Sequence, residues 1–581
     1  MNHIFVDSLF DNFTGRLHNH CKDLPRLVGT DVCGEESAMG KWIVNAAWPY
    51  VNSVPHLGTF IHLLSADVYA RYLRLKGEEV IAVTGSDEHG TPIEIEAIRR
   101  GIQPKELTDQ IHSEICRLLK AYNINLDNYT RTESPVHIQF TQELYRKVYD
   151  NGYVYTQSVN LPYCEKDQRF LPDRFVEGRC PHCGFEPARG DQCDSCGRVL
   201  DPLELIMPKC VFCGSTPIIK SSTHWFFDLP KFRDKLLAVL NANKQLPENA
   251  RNFSLRWLEE GLKPRALTRD NKWGVPAPFP GAEGKTIYVW FEAVLGYVSA
   301  SIEWAQNVGM KDKWKDFWFD SSTRNVHFIG KDNIPFHVII FPALLLATHE
   351  NYVLPWQVAS TEFILFDGQK YSKSKKIGIW IDDALKVAPG EYWRYVLMAI
   401  RPESRDANFT WRDFEVHVNS ELNDVLGNFI HRTLVFVSKN FDGKIPKPEI
   451  FDEKDEEFKQ QISEAPKNIT ALLDQFQLKT ALASIIELAR TGNQYLSERE
   501  PWHLIKVDRE KTATTLFLAS QLVRTLGILI SPYLPETAGR ISEQLGIRRD
   551  LEWAEAGRLD LEPGHQIGQP EPLFHKIIVP K

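Results

Sequence analysis

The chain has 581 residues, a length that predicts several domains. Hydrophobic residues make up 43% of it and charged residues 25%, values that exclude collagen-like, disordered and coiled-coil chains. The formal net charge is -8, so the chain as a whole has no electrostatic attraction for nucleic acid, and no stretch approaches 18 uninterrupted apolar residues.

The first residues differ in pattern from the rest of the chain. Residues 1–38 contain no strand–turn–helix pattern, and we predict that they form an N-terminal extension. Met39 directly precedes the first convincing strand, so both Met1 and Met39 stay open as the start of the working protein. The segment lacks the basic region, apolar core and cleavage site of a secretion signal.

The first recognisable elements form a strand–turn–helix–strand unit. A strand from Lys41 leads into a turn rich in proline, asparagine and serine, and apolar positions at helical spacing predict a helix from about His56 to Leu75. A second strand comes next, and polar residues end both strands at the edge where parallel α/β sheets bind ligands. We therefore predict the first half of a catalytic, Rossmann-like domain over residues 39–150.

A cysteine cluster interrupts this pattern. Of the ten cysteines in the chain, seven fall in an insertion that we predict over residues 151–270. Two CxxC pairs supply four thiolates at the spacing of zinc knuckles: Cys180, Cys183, Cys193 and Cys196. Four thiolates leave zinc no open position, so this site would be structural. Two disulfides are the alternative; the missing secretion signal favours zinc and a reducing, cytoplasmic location.

A second, less regular set of ligands surrounds the first. It contains a third CxxC pair and one cysteine with an aspartate three residues later: Cys210, Cys213, Cys164 and Asp167. A carboxylate can replace one thiolate at zinc, so a second site is possible over residues 164–213. A set of residues that holds no metal is the alternative, and both interpretations stay open.

Strand-like segments resume after the insertion, at residues 286–293 and 325–330, followed by a helix-forming run over residues 334–349. These predict the second half of the catalytic domain over residues 271–350. Beyond about Phe414 strand patterns fade and amphipathic stretches take over. The predicted fold is a Rossmann-like parallel sheet split by a zinc-knuckle insertion and followed by an all-α bundle over residues 415–555, with a C-terminal tail over 556–581.

Two short motifs are suited to nucleotide chemistry. His56 and Gly58 stand at the start of the first predicted helix, where the helix N-terminus favours anions; a capping histidine is the plain alternative. Lys370, Ser372 and Lys373 stand in the segment KYSKS, where two lysines can hold a triphosphate and stabilise the charge of a departing pyrophosphate. A solvated basic loop is the alternative there.

The two motifs in this order resemble the signature sequences of class I aminoacyl-tRNA synthetases. The segments AAWPYVNSVPHLG, TGSDEHGTPI, YVWFEA, HFIGKDNIPFH and FDGQKYSKS narrow the resemblance to the methionyl-tRNA synthetase family, from about Met39 to the C-terminus. The resemblance implies that L-methionine reacts with Mg-ATP to give methionyl-adenylate and pyrophosphate. The methionyl group then passes to the 3'-terminal adenosine of tRNA(Met), both initiator and elongator.

The resemblance also implies residue roles. His56, Lys370 and Lys373 would act on ATP and the transition state, with Gly58 and Ser372 at the nucleotide. The methionine pocket would consist of Tyr50, Asp87, Trp290, Ala293, Tyr297 and His337. Asp87 offers a carboxylate for the substrate ammonium, and His337 and Tyr297 are expected to place hydrogen-bond donors near the sulfur.

Two positions depart from the family pattern. Thr59 replaces a second histidine, so we predict a catalytic residue with a shorter reach, and Tyr371 replaces a methionine at a position predicted to serve packing. Residues 351–414, which carry the lysine loop, are predicted to contact the tRNA stem. In the helical domain, Trp502 and Asn423 are the candidates for reading the anticodon, Trp502 by stacking on a base.

Other interpretations remain. A class I synthetase for leucine, isoleucine, valine or cysteine is the nearest alternative, and the lack of a long editing insertion disfavours the three branched amino acids. A zinc-knuckle protein that binds RNA without catalysis is the more distant alternative. Since no oligonucleotide-binding barrel comes after the helical domain, we expect a monomer, and we expect no membrane partner.

Overall fold

The computed structural model describes residues 39–171, 175–190, 193, 195–196, 198, 200–372 and 377–579. The predicted N-terminal extension, residues 1–38, and the predicted catalytic Lys373 lie outside the described residues.

The chain first builds one side of a parallel sheet, with strands and helices in alternation. The strands are β1 (Lys41–Ala46), β2 (Glu79–Ser86) and β3 (Asn128–Arg131). The helices are α1 (Leu57–Leu75), α2 (Thr91–Arg100), α3 (Pro104–Ala121) and α4 (Pro135–Asp150). Strand β1 pairs in parallel with β2, Val44 opposite Ala82, which confirms the predicted β-α-β unit and its helix.

The insertion is antiparallel and carries its own small core. Its strands are β4 (Val154–Cys164), β5 (Arg169–Phe170), β6 (Val176–Arg179), β7 (Ala188–Arg189), β8 (Ile206–Cys210) and β9 (Ile218–Phe227), and its helices are α5 (Arg233–Ala242) and α6 (Glu248–Glu260). Strands β6, β7 and β8 form a separate sheet around buried cysteine, leucine and phenylalanine side chains. Strands β4 and β9, which come before and after this sheet in the chain, pair with each other in antiparallel fashion.

The second half of the domain completes the sheet. Its strands are β10 (Arg265–Ala266), β11 (Thr268–Arg269), β12 (Thr286–Ile287), β13 (Arg324–Gly330) and β14 (Gln357–Thr361), and its helices are α7 (Val289–Ala293), α8 (Gly296–Asn307), α9 (Lys315–Trp318) and α10 (Phe341–Ala347). A π-helix at Pro335–Ile340 precedes α10. The five-stranded sheet runs β14-β13-β1-β2-β3, all parallel, so the chain order reverses beside β1. A crevice at the carboxyl ends of the strands is expected at that reversal.

The predicted strand over residues 286–293 is wrong beyond its first two positions. Strand β12 ends at Ile287, and α7 begins at Val289. A short apolar run does not distinguish a strand from a buried helical turn, because both bury every residue. The helical turn places Trp290 and Ala293, three positions apart, on one face of α7.

The remainder is helical apart from strands β15 (Ile364–Phe366) and β16 (Ala407–Phe409). The helices are α11 (Ile381–Val387), α12 (Gly390–Ala399), α13 (Trp411–Val416), a π-helix (His417–Gly427), α14 (Asn428–Asn440), α15 (Glu453–Asp474), α16 (Leu478–Arg499), α17 (Pro501–Leu504), α18 (Arg509–Ile530) and α19 (Pro535–Gln544). No strand comes after β16 in the described part of the chain, which confirms the predicted helical bundle.

Helix α18 is the centre of this bundle. It is the one described helix long and apolar enough to cross a membrane, and its most apolar window is entirely buried within the protein. The bundle is joined to the sheet domain through Arg394 on α12. Its guanidinium pairs with Asp67 on α1 at 2.7 Å, both side chains fully buried, and donates to the carbonyl of Tyr533 at 2.7 Å. This contact fixes the bundle against α1, the helix that His56 precedes.

Candidate active site

A cleft of about 430 Å³ lies at the carboxyl ends of the central strands, beside β1 where the strand order reverses. Most residues predicted for ATP and methionine line it: Tyr50, His56, Gly58, Thr59, Asp87, Trp290, Ala293, Tyr297, His337 and Lys370. Ser372 is described but is not part of this lining; its backbone pairs with Ile377 at 2.9 Å. The structure therefore brings the two nucleotide motifs and the predicted methionine-pocket residues, which are distant in sequence, into one cavity.

His56 is the N-cap of α1. Its Nδ1 accepts a hydrogen bond from the backbone N–H of Thr59 at 3.2 Å, and the Thr59 hydroxyl lies 3.4 Å from Nε2. Burial lowers the pKa of His56 to about 4, so the ring is neutral near pH 7. A Cβ at Gly58 would lie 3.2 Å from this ring, so glycine leaves the imidazole its place at the helix N-terminus. A neutral donor at a helix N-terminus suits a phosphate group.

The lysine loop contacts His56. The ring of Tyr371 stacks on His56, with centroids 4.6 Å apart and planes inclined by 17°. Tyr371 thus packs against the first motif itself. Lys370, beside it, is exposed, and its Nζ lies 5.3 Å from the centre of the Phe363 ring. A cation beside this imidazole can neutralise phosphate charge as it develops.

Asp87 is the buried carboxyl group of the cleft. The residue is 5% exposed, and its Oδ1 has no hydrogen-bond partner among the residues that the structure describes. Burial, and next the nearby carboxylate of Glu292, raise the pKa of Asp87 well above its ordinary value. A buried carboxylate oxygen without a donor is costly, and a cationic ligand that enters the cleft removes that cost.

Aromatic rings form the walls beside Asp87. Trp290 lies 4.7 Å from Phe336 and 6.2 Å from Tyr50, measured between ring centroids. Such walls match a polarisable thioether, which makes favourable contacts with aromatic rings. Ala293 keeps the same face of α7 small. The pocket is therefore apolar, with one acidic end.

The polar pair of the pocket is His337 and Tyr297, which the sequence predicted to place hydrogen-bond donors near the sulfur. In the structure the two side chains are hydrogen-bonded to each other. His337 Nδ1 donates to the carbonyl of Asn333 at 2.9 Å, so its Nε2 accepts from the hydroxyl of Tyr297 at 2.7 Å. Burial lowers the pKa of His337 to about 4, so the ring stays neutral. Because both donors are already engaged, discrimination at this wall rests on shape and on the remaining lone pair of the Tyr297 oxygen.

Other lining residues escaped the sequence interpretation. His62 lies on α1 beyond His56; its Nε2 is 3.0 Å from the hydroxyl of Thr361, and burial lowers its pKa to about 3. Trp48 also lines the cleft, and a Cβ at Gly296 would come within 2.5 Å of its ring. The room for the Trp48 ring is provided by Gly296, which lies far along the chain, and sequence spacing alone does not reveal such a contact.

The four inner cysteines converge as predicted. Cys180, Cys183, Cys193 and Cys196 place their sulfur atoms within 4.8 Å of one another, with Cys183 and Cys193 at 3.6 Å. Four sulfurs about 2.3 Å from a tetrahedral zinc are about 3.8 Å apart, so the set fits a metal. These residues can hold a metal ion.

The outer set converges as well. Cys164, Asp167, Cys210 and Cys213 also place their ligand atoms within 4.8 Å of one another. Hydrogen bonds from the thiols of Cys213 and Cys210 lower the pKa of Asp167, so its carboxylate is ionised and available as a ligand. The regular and the irregular set therefore offer comparable geometry.

Trp502 and Asn423, the two candidates for reading the anticodon, do not line the same hollow. Trp502 is half-buried at a hollow of about 380 Å³ that Lys439 also lines, and the guanidinium of Arg432 lies 4.9 Å from its ring. Asn423 lies on the π-helix, where its amide donates to the Asp424 carboxylate at 2.8 Å, and it is not among the residues of that hollow. The hollow at Trp502 offers a ring and cations together, which suits an unstacked base.

Comparisons with known proteins agree with this arrangement. A family model for class I tRNA synthetases (M) matches residues 42–434, and a model for the anticodon binding domain of methionyl tRNA ligase matches residues 445–579. The domain boundaries proposed from sequence within these ranges stay predictions.

Relatives that match over most of their own length are named methionine–tRNA ligases. The methionine–tRNA ligase of Thermofilum pendens is 52% identical over 93% of this chain and 96% of its own, and that of Aeropyrum pernix 51% identical over 93% and 95%. Mycobacterium tuberculosis methionyl-tRNA synthetase, solved with methionyl-adenylate, has a TM-score of 0.77 and 26% identity over 92% of this chain and 100% of that one. The chain belongs to the methionyl-tRNA synthetase family of class I tRNA synthetases.

Proposed function

We propose that this chain joins L-methionine to tRNA(Met) through a methionyl-adenylate, with the chemistry confined to the cleft beside β1. The observation that supports this most directly is Asp87. Its buried carboxylate oxygen has no partner and stands at the acidic end of an aromatic pocket. That pocket opens toward His56 and Lys370, so an amino acid held at Asp87 has its carboxylate directed to the nucleotide side.

The proposed first step needs positioning and charge neutralisation rather than a covalent nucleophile. The ammonium group of methionine pairs with Asp87 while its carboxylate attacks the α-phosphorus of ATP, and pyrophosphate leaves. Neutral His56 and the N-terminus of α1 donate to phosphate oxygens, and Lys370 with Lys373 neutralises the departing pyrophosphate. ATP brings Mg²⁺ with it. In the second step the terminal adenosine hydroxyl of tRNA attacks the methionyl carbonyl and AMP leaves.

The identity of the amino acid is tested by exchange of radiolabelled pyrophosphate into ATP. We expect L-methionine to drive exchange, with kcat/KM at least about 100-fold above that of leucine, isoleucine, valine and cysteine, since none of these fills a long aromatic pocket with a thioether. Comparable exchange with any of the four would contradict the assignment. A chain that binds tRNA without any exchange would instead favour the non-enzymatic alternative.

We propose that both cysteine sets hold zinc. Each set would act as a structural cross-link with no open position, so zinc orders the insertion, which we propose positions the acceptor end of tRNA. Metal analysis of the purified protein is expected to give two zinc ions per chain. Cys180→Ser and Cys210→Ser are each expected to lose one. A single zinc that Cys210→Ser does not remove would leave the outer set empty.

We propose that Trp502 stacks on a base of the anticodon. Stacking on an aromatic ring contributes about 1–3 kcal/mol per base, so Trp502→Ala should raise KM for tRNA by about 5- to 150-fold. Methionine-dependent pyrophosphate exchange should not change, because it takes place in the other domain. Trp502→Phe keeps a stacking ring and should restore most of the affinity; equal losses in both variants would assign the ring to packing.

The remaining elements of this proposal concern the cell. We propose that the protein acts on both initiator and elongator tRNA, as a monomer, in the cytoplasm. The proposed location is supported by two points: two cysteine metal sites need reduced thiols, and the substrate is tRNA. Charging assays with each tRNA and sedimentation analysis of the purified chain test the first two points.

A further inference from the structure

Behind the methionine side of the cleft, an imidazole lies between two carboxylates. His89 Nδ1 is 2.5 Å from Glu292 Oε1, and its Nε2 is 2.8 Å from Glu133 Oε1. The side chains of His89 and Glu292 are 1% and 0% exposed. Burial by itself lowers the pKa of His89, but the two carboxylates outweigh burial and raise it to about 10.

The charge of this triad does not depend on where its protons lie. Two short hydrogen bonds between one imidazole and two carboxylates need two protons, whether both are on the ring or one is on a carboxylate. The triad of His89, Glu292 and Glu133 therefore carries a net charge of about -1 in either arrangement. That charge is buried, so water screens it poorly.

The triad connects the segments that form the methionine pocket. His89 comes two residues after Asp87 at the end of β2, Glu133 comes after β3, and Glu292 lies on α7 between Trp290 and Ala293. None of these three described side chains lines the cleft, so their effect on a ligand passes through Asp87 and α7.

Other charged groups near Asp87 are compensated or neutral. Glu88, adjacent in sequence, is paired with Arg131 at 2.7 Å. The phenols of Tyr50 and Tyr297 face Asp87 from the cleft, and burial raises their pKa values, so both stay uncharged. His137, on α4, faces His89, and burial lowers its pKa to about 3. Glu292 raises the pKa of Asp87, while His89 opposes it through its charge and a backbone hydrogen bond; burial and Glu292 outweigh His89.

We propose that methionine binding is proton-coupled: burial and the carboxylate of Glu292, held in place by His89, together keep Asp87 protonated in the empty cleft, and the ammonium group of methionine expels that proton to solvent. Glu292 and His89 are positioning residues in this scheme, because neither touches the substrate. The proposal rests on the proposed function, in which Asp87 receives the ammonium group.

The sign of the pH dependence is set by the direction of the shift. The pKa of Asp87 is raised in the empty cleft and falls when an ammonium group pairs with it. Between these two pKa values one proton leaves for each methionine bound, so affinity rises by about tenfold per pH unit until the pH passes the pKa of Asp87 in the empty cleft. A carboxylate already ionised when empty would give a flat profile.

Calorimetric titration of the full chain with L-methionine tests this, in buffers of different ionisation enthalpy at pH 6, 7 and 8. The native protein is expected to release about one proton per methionine. Glu292→Gln removes the negative neighbour and leaves the burial of Asp87 in place, so proton release at pH 7 and the rise of affinity with pH should both fall below those of the native chain. Glu133→Gln is the matched control: it removes the same unit of charge from the triad, but after β3 rather than on α7 among the pocket residues, so a smaller change of the profile is expected than in Glu292→Gln.

The outcomes separate this inference from the proposed function. Binding by the native chain without proton release would overturn the inference, and so would equal effects of Glu292→Gln and Glu133→Gln, since a purely structural triad predicts the same result for both. If Asp87→Asn binds methionine normally, the proposed function fails instead. Titration of the native chain decides the inference even if Glu292→Gln does not fold, because binding without proton release would overturn it.

Discussion

Asp87→Asn is expected to raise KM for methionine in pyrophosphate exchange by at least about 30-fold. Removing one member of a buried, hydrogen-bonded charge pair costs about 2–5 kcal/mol, because the other charge is left unpaired. Here the substrate ammonium would be left in an apolar pocket whose other walls are aromatic rings and one engaged Tyr–His pair. The asparagine keeps the shape of the side chain, so the loss reports charge.

The measurement is methionine-dependent exchange at saturating ATP, with KM for ATP determined separately. KM for ATP should change by less than about threefold, because Asp87 lies on the amino-acid side of the cleft. Asp312→Asn is the matched control; its carboxylate is 80% exposed and pairs with Lys315 away from the cleft lining, so no effect is expected. Equal KM values for methionine in Asp87→Asn and the native chain would refute the assignment of this residue.

Lys370→Ala and Lys373→Ala are expected to lower kcat for pyrophosphate exchange by about 100- to 1,000-fold. A preorganised donor at developing charge contributes about this much to a rate, and its contribution is confined to the transition state. Lys370 is exposed beside the cleft and would engage the phosphates only with ATP present, as catalytic contacts often do. Calorimetric binding of methionine should therefore persist in both variants.

Lys386→Ala provides the control for lost positive charge. Its side chain is 73% exposed and pairs with Asp383 on the same helix, away from the cleft lining. Native exchange in Lys386→Ala together with a collapse in Lys370→Ala would assign the effect to position. Unchanged exchange in either loop variant would remove that lysine from the transition state.

Spacing along the chain predicted the features that depend on near neighbours. The CxxC pairs predicted their own convergence because two residues between cysteines allow one tight turn, and the three-residue offset from Cys164 to Asp167 did the same for the outer set. Helix α1 was predicted from apolar periodicity, and His56 from its place at the N-terminus of that helix. The methionine-side residues were reached only through resemblance to a family.

Residues 286–293 show where spacing alone was insufficient. The aromatic and apolar run fits a strand, yet only Thr286 and Ile287 pair with a neighbour, and the chain then turns into α7. What favours the helix is distant in sequence: Glu292 bonds to His89, and Trp290 packs on Phe336. Local propensity over five residues is too weak to oppose such contacts.

By itself the sequence determined a composition without strong attraction for nucleic acid, two sets of metal ligands, a helix with a histidine at its start, and a lysine loop far downstream. Only the tertiary structure decided that Tyr371 stacks on His56, that Tyr297 donates to His337, and that Asp87 stands unpartnered beside Glu292. The physical reason is that protonation states and ring contacts depend on burial and on charges brought together by the fold. These are properties of space, and sequence separation carries little information about them.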